Sequence, residues 1–411
     1  MSRCLWIGDW AATGFGRASE ELCNRLVDRG HEITVLAVNY RGDAKPSRVS
    51  LMMANGKEQK DVYGYSRVVE ALGAVEPDVV VLFNDPPILI HYLFRNSFDP
   101  ELVLLKYRPL ITYQTRDGLN GPRSWDALRS IKVNGEPWQV SNEIAMSKFG
   151  QNQMPGADLA YHGIDPQVFH PATPQTPVYF KDQRITSKRE AKEALGESAD
   201  QFLILRVDKN SWRKDFAATW KALLPVMKRH SDITVRFHCG KSDYAGGVQM
   251  PELFTRDTET AARFKLPENF SDYTGWSVSE LVTLYNAADL FVTTSMGEGF
   301  GLTIAEALAC GVPVIAQNVS AIPEVVGPGG ILIDGGYELT APGGQDVYAA
   351  NIPAFTEAIE HLYLNAGFRK RYAKVGMAHV RETFRWDTAA DTFDKHIRDL
   401  HANTELVPVS A

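Results

Sequence analysis

Two glutamates eight residues apart flank a glycine-rich turn, and their types and spacing suggest a defined chemistry. Glu298 and Glu306 lie in the segment SMGEGFGLTIAEALACGVP, residues 295–313. An apolar run over 288–294 predicts a buried strand before the turn, and residues 302–310 predict a helix after it. Such a turn directs backbone N–H groups and the positive end of a helix dipole at a ligand, typically a phosphate. Because carboxylates beside a phosphate need another role, such as binding sugar hydroxyls, the pattern favours a nucleotide sugar.

The same residues resemble a known family. Glu298 and Glu306 are similar to the E-x7-E signature of the retaining glycosyltransferases of family four, which have the GT-B fold. The similarity continues through GVPV at 311–314 and IPEVV at 322–326, and residues 161–171 resemble the interdomain segment of that family. The resemblance implies an α/β protein of two facing Rossmann-like domains, with parallel sheets and a cleft between them.

The resemblance also implies cations for the donor diphosphate. In the family, an arginine and a lysine five positions apart grip the phosphates after a strand that here spans 202–207. This chain has Lys209 in place of the arginine and Lys214 in register. Lysine keeps the charge but loses the bidentate geometry of arginine. Arg206 and Arg213 are neighbours that could take over that contact.

Further donor contacts follow from the same resemblance. Glu306 would accept hydrogen bonds from the ribose diol, and Glu298 would hold hydroxyls of the transferred sugar. Trp276 is expected near the nucleobase. Backbone of the turn, and of a second glycine loop at residues 13–17, would face the sugar and diphosphate; these residues are Gly14, Gly16, Gly299, Phe300, Gly301 and Leu302.

Three loops of the first half follow predicted strands and supply candidate ligands for the acceptor. Many relatives place a histidine in the loop after residues 110–113, where this chain has Gln114 or Asp117. With Glu298, Lys214 and Lys209, Asp117 completes the predicted catalytic set, although each aspartate here could also be an ordinary turn or cap residue. The predicted acceptor ligands are Asp9, Asn84, Asp85, Gln114, Arg116 and Asp117.

The implied reaction is transfer of a hexose or related sugar from a nucleoside diphosphate sugar to a hydroxyl, with retention at the anomeric carbon. A UDP-sugar is the first expectation for the donor, and a sugar, glycolipid or small metabolite for the acceptor. The departing phosphate would take the acceptor's proton, so the site needs charge stabilisation and positioning more than a side-chain base. No cofactor or metal is expected, since the chain has no Asp-x-Asp motif.

Two alternatives for the function stay open at this point. The stretch from Lys106 to Lys132 carries six basic residues against two acidic ones, with Tyr107, Tyr113 and Trp125 interleaved. This composition fits a phosphate-tracking groove with stacking platforms, and hence transfer onto a hydroxylated base of nucleic acid, as in phage DNA modification; a solvated face is the plainer interpretation. The other alternative is a non-catalytic nucleotide-sugar-binding protein. A nicotinamide enzyme is disfavoured because the loop at 13–17 is not followed by a third fingerprint glycine.

Short apolar runs alternate with amphipathic segments, which indicates parallel α/β architecture. The first helix is predicted at 17–29, and the proline-rich segment 165–187 is expected to lack regular structure. We predict an acceptor-binding domain over 1–170 and a nucleotide-sugar-binding domain over 171–385, with a helix at 386–405 that returns to the first domain. The predicted strands are 4–7, 33–38, 79–83, 110–113, 143–146, 202–207, 233–239, 272–273, 290–294 and 314–316.

Composition is that of a globular protein, with 44% hydrophobic and 23% charged residues in a chain of 411. A net charge of −7 gives no sign of a protein built around nucleic acid or anionic lipid. Four scattered cysteines without a C-x-x-C pair argue for a reducing compartment, and against disulfides or a zinc site. The N-terminus lacks a signal-peptide apolar region, and no apolar stretch approaches the ~18 residues of a membrane span. These features predict a cytoplasmic protein without a transmembrane segment and leave peripheral membrane contact open.

Overall fold

Each of the two units of this chain is built around a parallel β-sheet. The computed structural model describes residues 1–40, 42, 47–55, 61–94, 109–126, 132–133, 136–137, 142–242, 246–268, 270 and 275–405. Unit 1 comprises Met1–Arg116, Gly121–Gly163 and Trp386–Ala411. Unit 2 comprises Asp117–Asn120 and Ile164–Arg385.

Unit 1 has a seven-stranded sheet. Its strands and the small β6–β7 pair are β1 (Arg3–Asp9), β2 (Glu32–Val38), β3 (Ser50–Met53), β4 (Val79–Asn84), β5 (Leu110–Gln114), β6 (Lys132–Val133), β7 (Glu136–Pro137), β8 (Asn142–Ala145) and β9 (Asp158–Leu159). The strand order is β3-β2-β1-β4-β5-β8-β9, with every pairing parallel. Its helices in the first part of the chain are α1 (Gly14–Asp28), α2 (Val68–Val75), α3 (Pro86–Phe94) and α4 (Lys148–Gln153).

Unit 2 has a six-stranded parallel sheet in the order β14-β13-β12-β15-β16-β17, and two antiparallel hairpins, β10–β11 and β18–β19. The strands are β10 (Val178–Phe180), β11 (Gln183–Ile185), β12 (Phe202–Val207), β13 (Ile233–His238), β14 (Phe264–Lys265), β15 (Leu290–Thr293), β16 (Val314–Gln317), β17 (Gly330–Ile333), β18 (Glu338–Thr340) and β19 (Asp346–Tyr348). The helices are α5 (Lys188–Ala194), α6 (Phe216–Arg229), α7 (Met250–Thr255), α8 (Val278–Ala287), α9 (Leu302–Ala309), α10 (Ile322–Val326), α11 (Ile352–Leu364) and α12 (Ala366–Thr383).

The last helix, α13 (Trp386–Glu405), packs in unit 1. Its Phe393 ring lies 5.6 Å from the Trp6 ring of β1, and its Asp391 accepts a hydrogen bond of 2.6 Å from Arg29. Apolar burial of Phe393 and the charged contact of Asp391 therefore tie the C-terminal segment to the first unit.

The central strands of both sheets are buried along their length, which is why short, mainly apolar runs predicted them well. The two parallel sheets confirm the predicted α/β class with two Rossmann-like units. Helix α1 begins at Gly14, three residues before the predicted start. The predicted strand at 272–273 lies outside the described residues.

The expectation that 165–187 lacks regular structure is wrong for its second half. The prolines lie before residue 178, and after them the chain forms the hairpin β10–β11. Val178 and Ile185 pair directly and are both buried, and Lys181 adopts a left-handed φ of 52° in the turn. After the last proline, strand pairing and burial, rather than proline content, determine the structure of residues 178–185.

Within the described part of the chain, no helix combines the length and apolar character needed to cross a membrane.

Candidate functional site

Strand order in unit 2 brings two separated loops together. Strand β12 pairs in parallel with β15, so the loops that follow them begin at the same edge of the sheet. The first loop ends in a 3-10 turn, Trp212–Lys214, and the second is the glycine-rich turn before α9. A backbone hydrogen bond of 2.9 Å from the Met296 N–H to the Arg213 carbonyl joins the two loops.

Six side chains of unit 2 at this edge form a row of alternating charges, which we call the charge row. Its outer half begins at Asp117, whose Oδ2 lies 3.0 Å from Arg213 Nε. Arg213 Nη1 in turn lies 3.3 Å from Glu298 Oε2. In order, the charge row is Asp117, Arg213, Glu298, Lys214, Asp208 and Arg206.

The inner half of the charge row is centred on Lys214. Its ammonium contacts Glu298 Oε1 and lies 2.8 Å from Asp208 Oδ1. The second oxygen of Asp208 lies 3.4 Å from Arg206 Nε. With three cations and three carboxylates, the charge row is balanced, as buried charges require.

Glu298 is held in one orientation by its neighbours. Ser295 Oγ donates a 2.6 Å hydrogen bond to Glu298 Oε1, and the Glu298 backbone N–H donates to Ser320 Oγ at 2.7 Å. Burial acts to raise the pKa of this carboxyl, but the charges of Lys214 and Arg213 outweigh it and hold the pKa well below its usual range. Glu298 is therefore an ionised carboxylate at neutral pH.

Arg206 has a different role from the predicted donor contact. Its side chain is fully buried, and its guanidinium lies 4.1 Å from the Phe216 ring centroid. It donates to Thr294 Oγ1 at 3.1 Å and to the Lys214 carbonyl. Because its guanidinium nitrogens donate to these and further internal partners, Arg206 supports the main chain at Lys214 rather than a ligand.

The other predicted cation, Lys209, is exposed and stands outside the charge row. The residue adjacent to Glu298 is instead Arg213, because the 3-10 turn places it and Lys214 side by side. Of the two arginines proposed as substitutes for the family's arginine, only Arg213 reaches Glu298.

The glycine-rich turn leads into α9 without a side-chain cap. Gly301 is the N-cap residue and has a φ of 104°, a left-handed value that favours glycine. The first N–H groups of a helix have no intrahelical partner, so an uncapped start leaves donors for a ligand. Gly299 and Phe300 are buried and Leu302 is half-buried, with the Phe300 ring 5.0 Å from Phe384.

Glu306 lies about one turn into α9 and is 1% exposed. Its Oε2 accepts a 2.7 Å hydrogen bond from the Tyr285 hydroxyl of α8. A buried carboxylate needs such a partner, and sequence analysis did not identify Tyr285.

Trp276 lies in an aromatic group at the end of β13. Its ring centroid is 4.7 Å from that of His238 and 5.8 Å from that of Phe180 in β10. Burial, and then the charge of Arg236, lower the pKa of His238 to about 3, so this imidazole is neutral at pH 7. The half-buried indole therefore borders an uncharged aromatic surface.

Asp117–Asn120 belongs to unit 2, and its Leu119 pairs with Asp346 of the β18–β19 hairpin. Leu119 and Asp346 exchange backbone hydrogen bonds of 2.9 and 2.7 Å. Gln345 Nε2 donates to Asp117 Oδ1 at 3.2 Å, which orients the carboxylate that meets Arg213.

Gly297 fits against this segment only because it has no side chain. A Cβ at that position would overlap the carbonyl oxygen of Asp117. We expect Gly297→Ala to lower the free energy of unfolding by about 1–3 kcal/mol, as overpacking does, and to lower activity because the charge row must shift. Thermal unfolding checks this, with Gly367→Ala as the matched control, since a Cβ there meets nothing within 4 Å. An unchanged melting temperature in Gly297→Ala would contradict the expectation.

In unit 1, Asp9 organises its own loop. It accepts hydrogen bonds from the Ala11 N–H at 2.8 Å, Thr13 Oγ1 at 2.9 Å and Asn39 Nδ2 at 3.2 Å. Thr13 in turn caps α1, which contains Gly14 and Gly16, through the Gly16 N–H. Burial raises the pKa of Asp9. The turn-and-cap interpretation weighed for this aspartate accounts for its contacts.

The remaining candidates for the acceptor cluster at the ends of β4 and β5. Asp85 accepts from Thr115 Oγ1, and Asn84 Oδ1 accepts from the Asp85 N–H at 2.9 Å. Gln114 Nε2 donates to Glu143 Oε1 at 3.0 Å, and Arg116 Nη2 lies 3.4 Å from Gln114 Oε1. The structure thus brings these four residues together in unit 1. The candidate Asp117 belongs instead to unit 2.

Two of the three aromatic residues predicted to stack on nucleic-acid bases are not available for that role. Tyr113 and Trp125 are buried, and the Arg116 guanidinium lies 5.0 Å from the Trp125 ring within unit 1. Stacking on bases needs an exposed aromatic face, so these side chains serve packing instead. Lys106, Tyr107, Arg108 and Arg129 lie outside the described residues.

Among the residues that the structure describes, no three His, Cys, Asp or Glu side chains are grouped to hold a metal ion. All four cysteines are buried, and none of them forms a disulfide.

Comparison with known proteins finds a family model that matches part of this chain. Residues 206–365 match the family model described as Glycosyl transferases group 1. This match confirms the predicted resemblance to glycosyltransferases at the level of that group, and the assignment to family four through the E-x7-E signature stays a prediction.

Two curated relatives share part of the chain. One is the O-antigen chain mannosyltransferase B of Escherichia coli, 50% identical over 68 residues, which are 16% of this chain and 18% of the relative. The other is the D-inositol 3-phosphate glycosyltransferase of Mycobacterium tuberculosis, 28% identical over 244 residues, 57% of this chain and 42% of the relative. The chain therefore spans less than half the length of either relative.

A solved structure matches nearly the whole chain. The Anabaena protein Alr3699/HepE in complex with UDP-glucose aligns over 98% of this chain and 100% of its own, with a TM-score of 0.68 and 17% identity. At that identity the likeness concerns the fold, and it confirms the predicted GT-B class.

Proposed function

We propose, from a glycosyl transferases group 1 domain at residues 206–365 on a GT-B fold, that this chain is a retaining glycosyltransferase. It moves a sugar from a nucleoside diphosphate sugar to an acceptor hydroxyl. The observation that carries the proposal is the meeting of Lys214 and Arg213 with Glu298 beside the uncapped start of α9. This arrangement combines cations, a sugar-binding carboxylate and backbone donors within one loop pair.

The cations suit the donor's diphosphate. A lysine ammonium has three N–H donors, and Glu298 and Asp208 engage two of them on Lys214. The third is directed to a phosphate oxygen in our proposal. Arg213 adds a second positive charge beside Lys214, and the dipole of α9 favours negative charge at its N-terminus. Together they stabilise the charge that develops on the leaving diphosphate.

The two glutamates of the turn bind the donor's hydroxyls. Glu298 is an ionised acceptor whose oxygens are set by Ser295, Lys214 and Arg213, so it accepts from sugar hydroxyls without reorganising. Glu306 accepts from the ribose diol next to the start of α9. The aromatic surface around Trp276 and His238 accommodates the nucleobase.

The reaction then needs little from a side-chain base. The bond from the anomeric carbon to the diphosphate oxygen breaks first, and the acceptor oxygen bonds to that carbon on the same face. The acceptor's proton passes to the departing phosphate oxygen. Lys214 and Arg213 stabilise this oxygen's phosphate, and Asp117 orients the incoming hydroxyl.

UDP is the proposed nucleotide, because HepE, a protein of the same fold, was solved with UDP-glucose. The donor sugar is proposed to be a hexose, in line with the mannosyltransferase and glycosyltransferase names of the two relatives. The acceptor hydroxyl is proposed to belong to a sugar, a glycolipid or a small metabolite, and no metal takes part.

A donor panel tests the proposal. The purified chain is screened by thermal shift against UDP-, GDP- and ADP-sugars, and nucleoside diphosphate release is followed with and without mixtures of acceptors. We expect a UDP-hexose to raise the melting temperature and to be hydrolysed slowly alone and faster with an acceptor, which mass spectrometry then identifies. Binding without any diphosphate release would instead support a non-catalytic nucleotide-sugar-binding protein.

A further inference from the structure

Lys214 is held at both of its ends. Its backbone carbonyl accepts from Arg206 Nη2, so the main chain at this residue is anchored to a fully buried guanidinium. Its ammonium lies between two carboxylates, Glu298 on one side and Asp208 at 2.8 Å on the other. A lysine side chain has a flexible four-carbon stem, so contacts at both ends are needed to hold its ammonium in place.

Asp208 divides its two oxygens between separate partners. Oδ1 accepts from Lys214, whereas Oδ2 is 3.4 Å from both Arg206 Nε and Thr293 Oγ1. The side chain of Asp208 is only 4% exposed, and both of its oxygens are engaged by these internal partners. Its orientation is determined by the end of β12 and by its neighbour strand β15, which contains Thr293.

Glu298 alone would not keep the Lys214 ammonium pointed at a phosphate. In the proposed function Glu298 contacts the transferred sugar, so a lysine bonded only to it would follow that carboxylate. A second acceptor at Asp208 fixes two of the three tetrahedral N–H directions and thereby determines the third. The ammonium is then aimed before the donor binds.

We propose that Asp208 is a positioning residue that directs Lys214 at the leaving phosphate. This inference rests on the proposed function and adds a residue that the predicted site does not contain. Neutralising Arg206 is not a sufficient role for Asp208, because the Arg206 guanidinium has other hydrogen-bond acceptors. These are the Thr219 and Thr294 hydroxyls and the carbonyls of Lys214 and Asp215. Asp208 is the second carboxylate on Lys214.

A double-mutant cycle tests the proposal. With the best donor of the panel, Asp208→Asn is expected to lower kcat by at least about tenfold, because displacing a group by about 1 Å can cost ~100-fold. The donor KM should change by less than about threefold, as for an interaction that forms only in the transition state. In a Lys214→Ala background the same substitution should change kcat by less than about twofold, because its target is gone.

Two further variants separate positioning from folding. Glu197→Gln removes another buried carboxylate, one paired with Arg236 at 2.6 Å, and should lower the melting temperature without lowering kcat. Asp208→Glu keeps the charge, so it should fold, but it displaces the oxygens and should still lower kcat. If Asp208→Asn does not fold, Asp208→Glu replaces it in the cycle.

The outcomes are distinguishable. Additive effects of the Asp208 and Lys214 substitutions, or normal kcat in Asp208→Glu, would overturn this inference and leave the proposed function intact. A wild-type chain that releases no nucleoside diphosphate from any donor would overturn the proposed function, and this inference with it. A loss of kcat in Asp208→Asn that vanishes in the Lys214→Ala background supports it.

Discussion

Lys214→Ala is expected to lower turnover of the nucleoside diphosphate sugar by at least about a hundredfold. Removing one charged donor from a developing anion typically costs about 3 kcal/mol, and each 1.36 kcal/mol is tenfold in rate. The substitution also leaves Glu298 and Asp208 without their shared cation. Steady-state release of the nucleoside diphosphate measures the effect, and we expect it mainly in kcat.

A matched lysine controls for the loss of a buried cation. Lys192 lies 2.7 Å from Asp289 and is 5% exposed, but it belongs to α5, away from the charge row. Lys192→Ala should therefore lower the melting temperature while turnover per folded molecule stays near the wild-type value.

We also expect Lys209→Ala to have a smaller effect on turnover than Lys214→Ala, because Lys209 is exposed and is not part of the charge row. Near-normal turnover of Lys214→Ala would refute the assignment of Lys214.

Glu306→Ala is the second substitution expected to lower turnover by at least about a hundredfold. The carboxylate is proposed to accept from two ribose hydroxyls, and charged hydrogen bonds are roughly twice as strong as neutral ones. We expect a weaker donor interaction, seen as a smaller thermal shift with UDP-hexose as well as slower diphosphate release. Both measurements use the same purified variant.

The hydrogen bond to Tyr285 provides the comparison for Glu306. Tyr285→Phe removes the 2.7 Å bond to Oε2 but keeps the carboxylate, and a single hydrogen bond contributes about 0.5–1.5 kcal/mol. Its loss in turnover should therefore stay within about tenfold. If Tyr285→Phe impaired donor binding as much as Glu306→Ala, the carboxylate would be supporting α8 and α9 rather than binding a ribose.

Much of the site followed from local patterns. Glycines before an apolar helix predicted the uncapped turn at Gly301, and the strand runs predicted β12 and β15, whose parallel pairing brings Lys214 to Glu298. Strand β17, by contrast, was not predicted, because Gly330–Ile333 is short and gains its pairing only from β16. Hairpin β10–β11 was missed for a different reason: its strands have only three residues each, too few for a clear periodic pattern, and they follow a proline-rich run.

The amino-acid sequence by itself determined the α/β class, the glycine turn and the residue types available to bind phosphate and sugar. These features depend on periodicity and on the chemistry of residues that are neighbours in the sequence. Tertiary structure alone decided which charges meet. Arg213, rather than Lys209, lies beside Glu298; Arg206 is buried beneath the main chain of Lys214; and Asp117 belongs with unit 2. Ion pairing depends on distances of a few ångströms between side chains, and for residues 84 positions apart, as Lys214 and Glu298 are, only strand pairing and loop packing determine those distances.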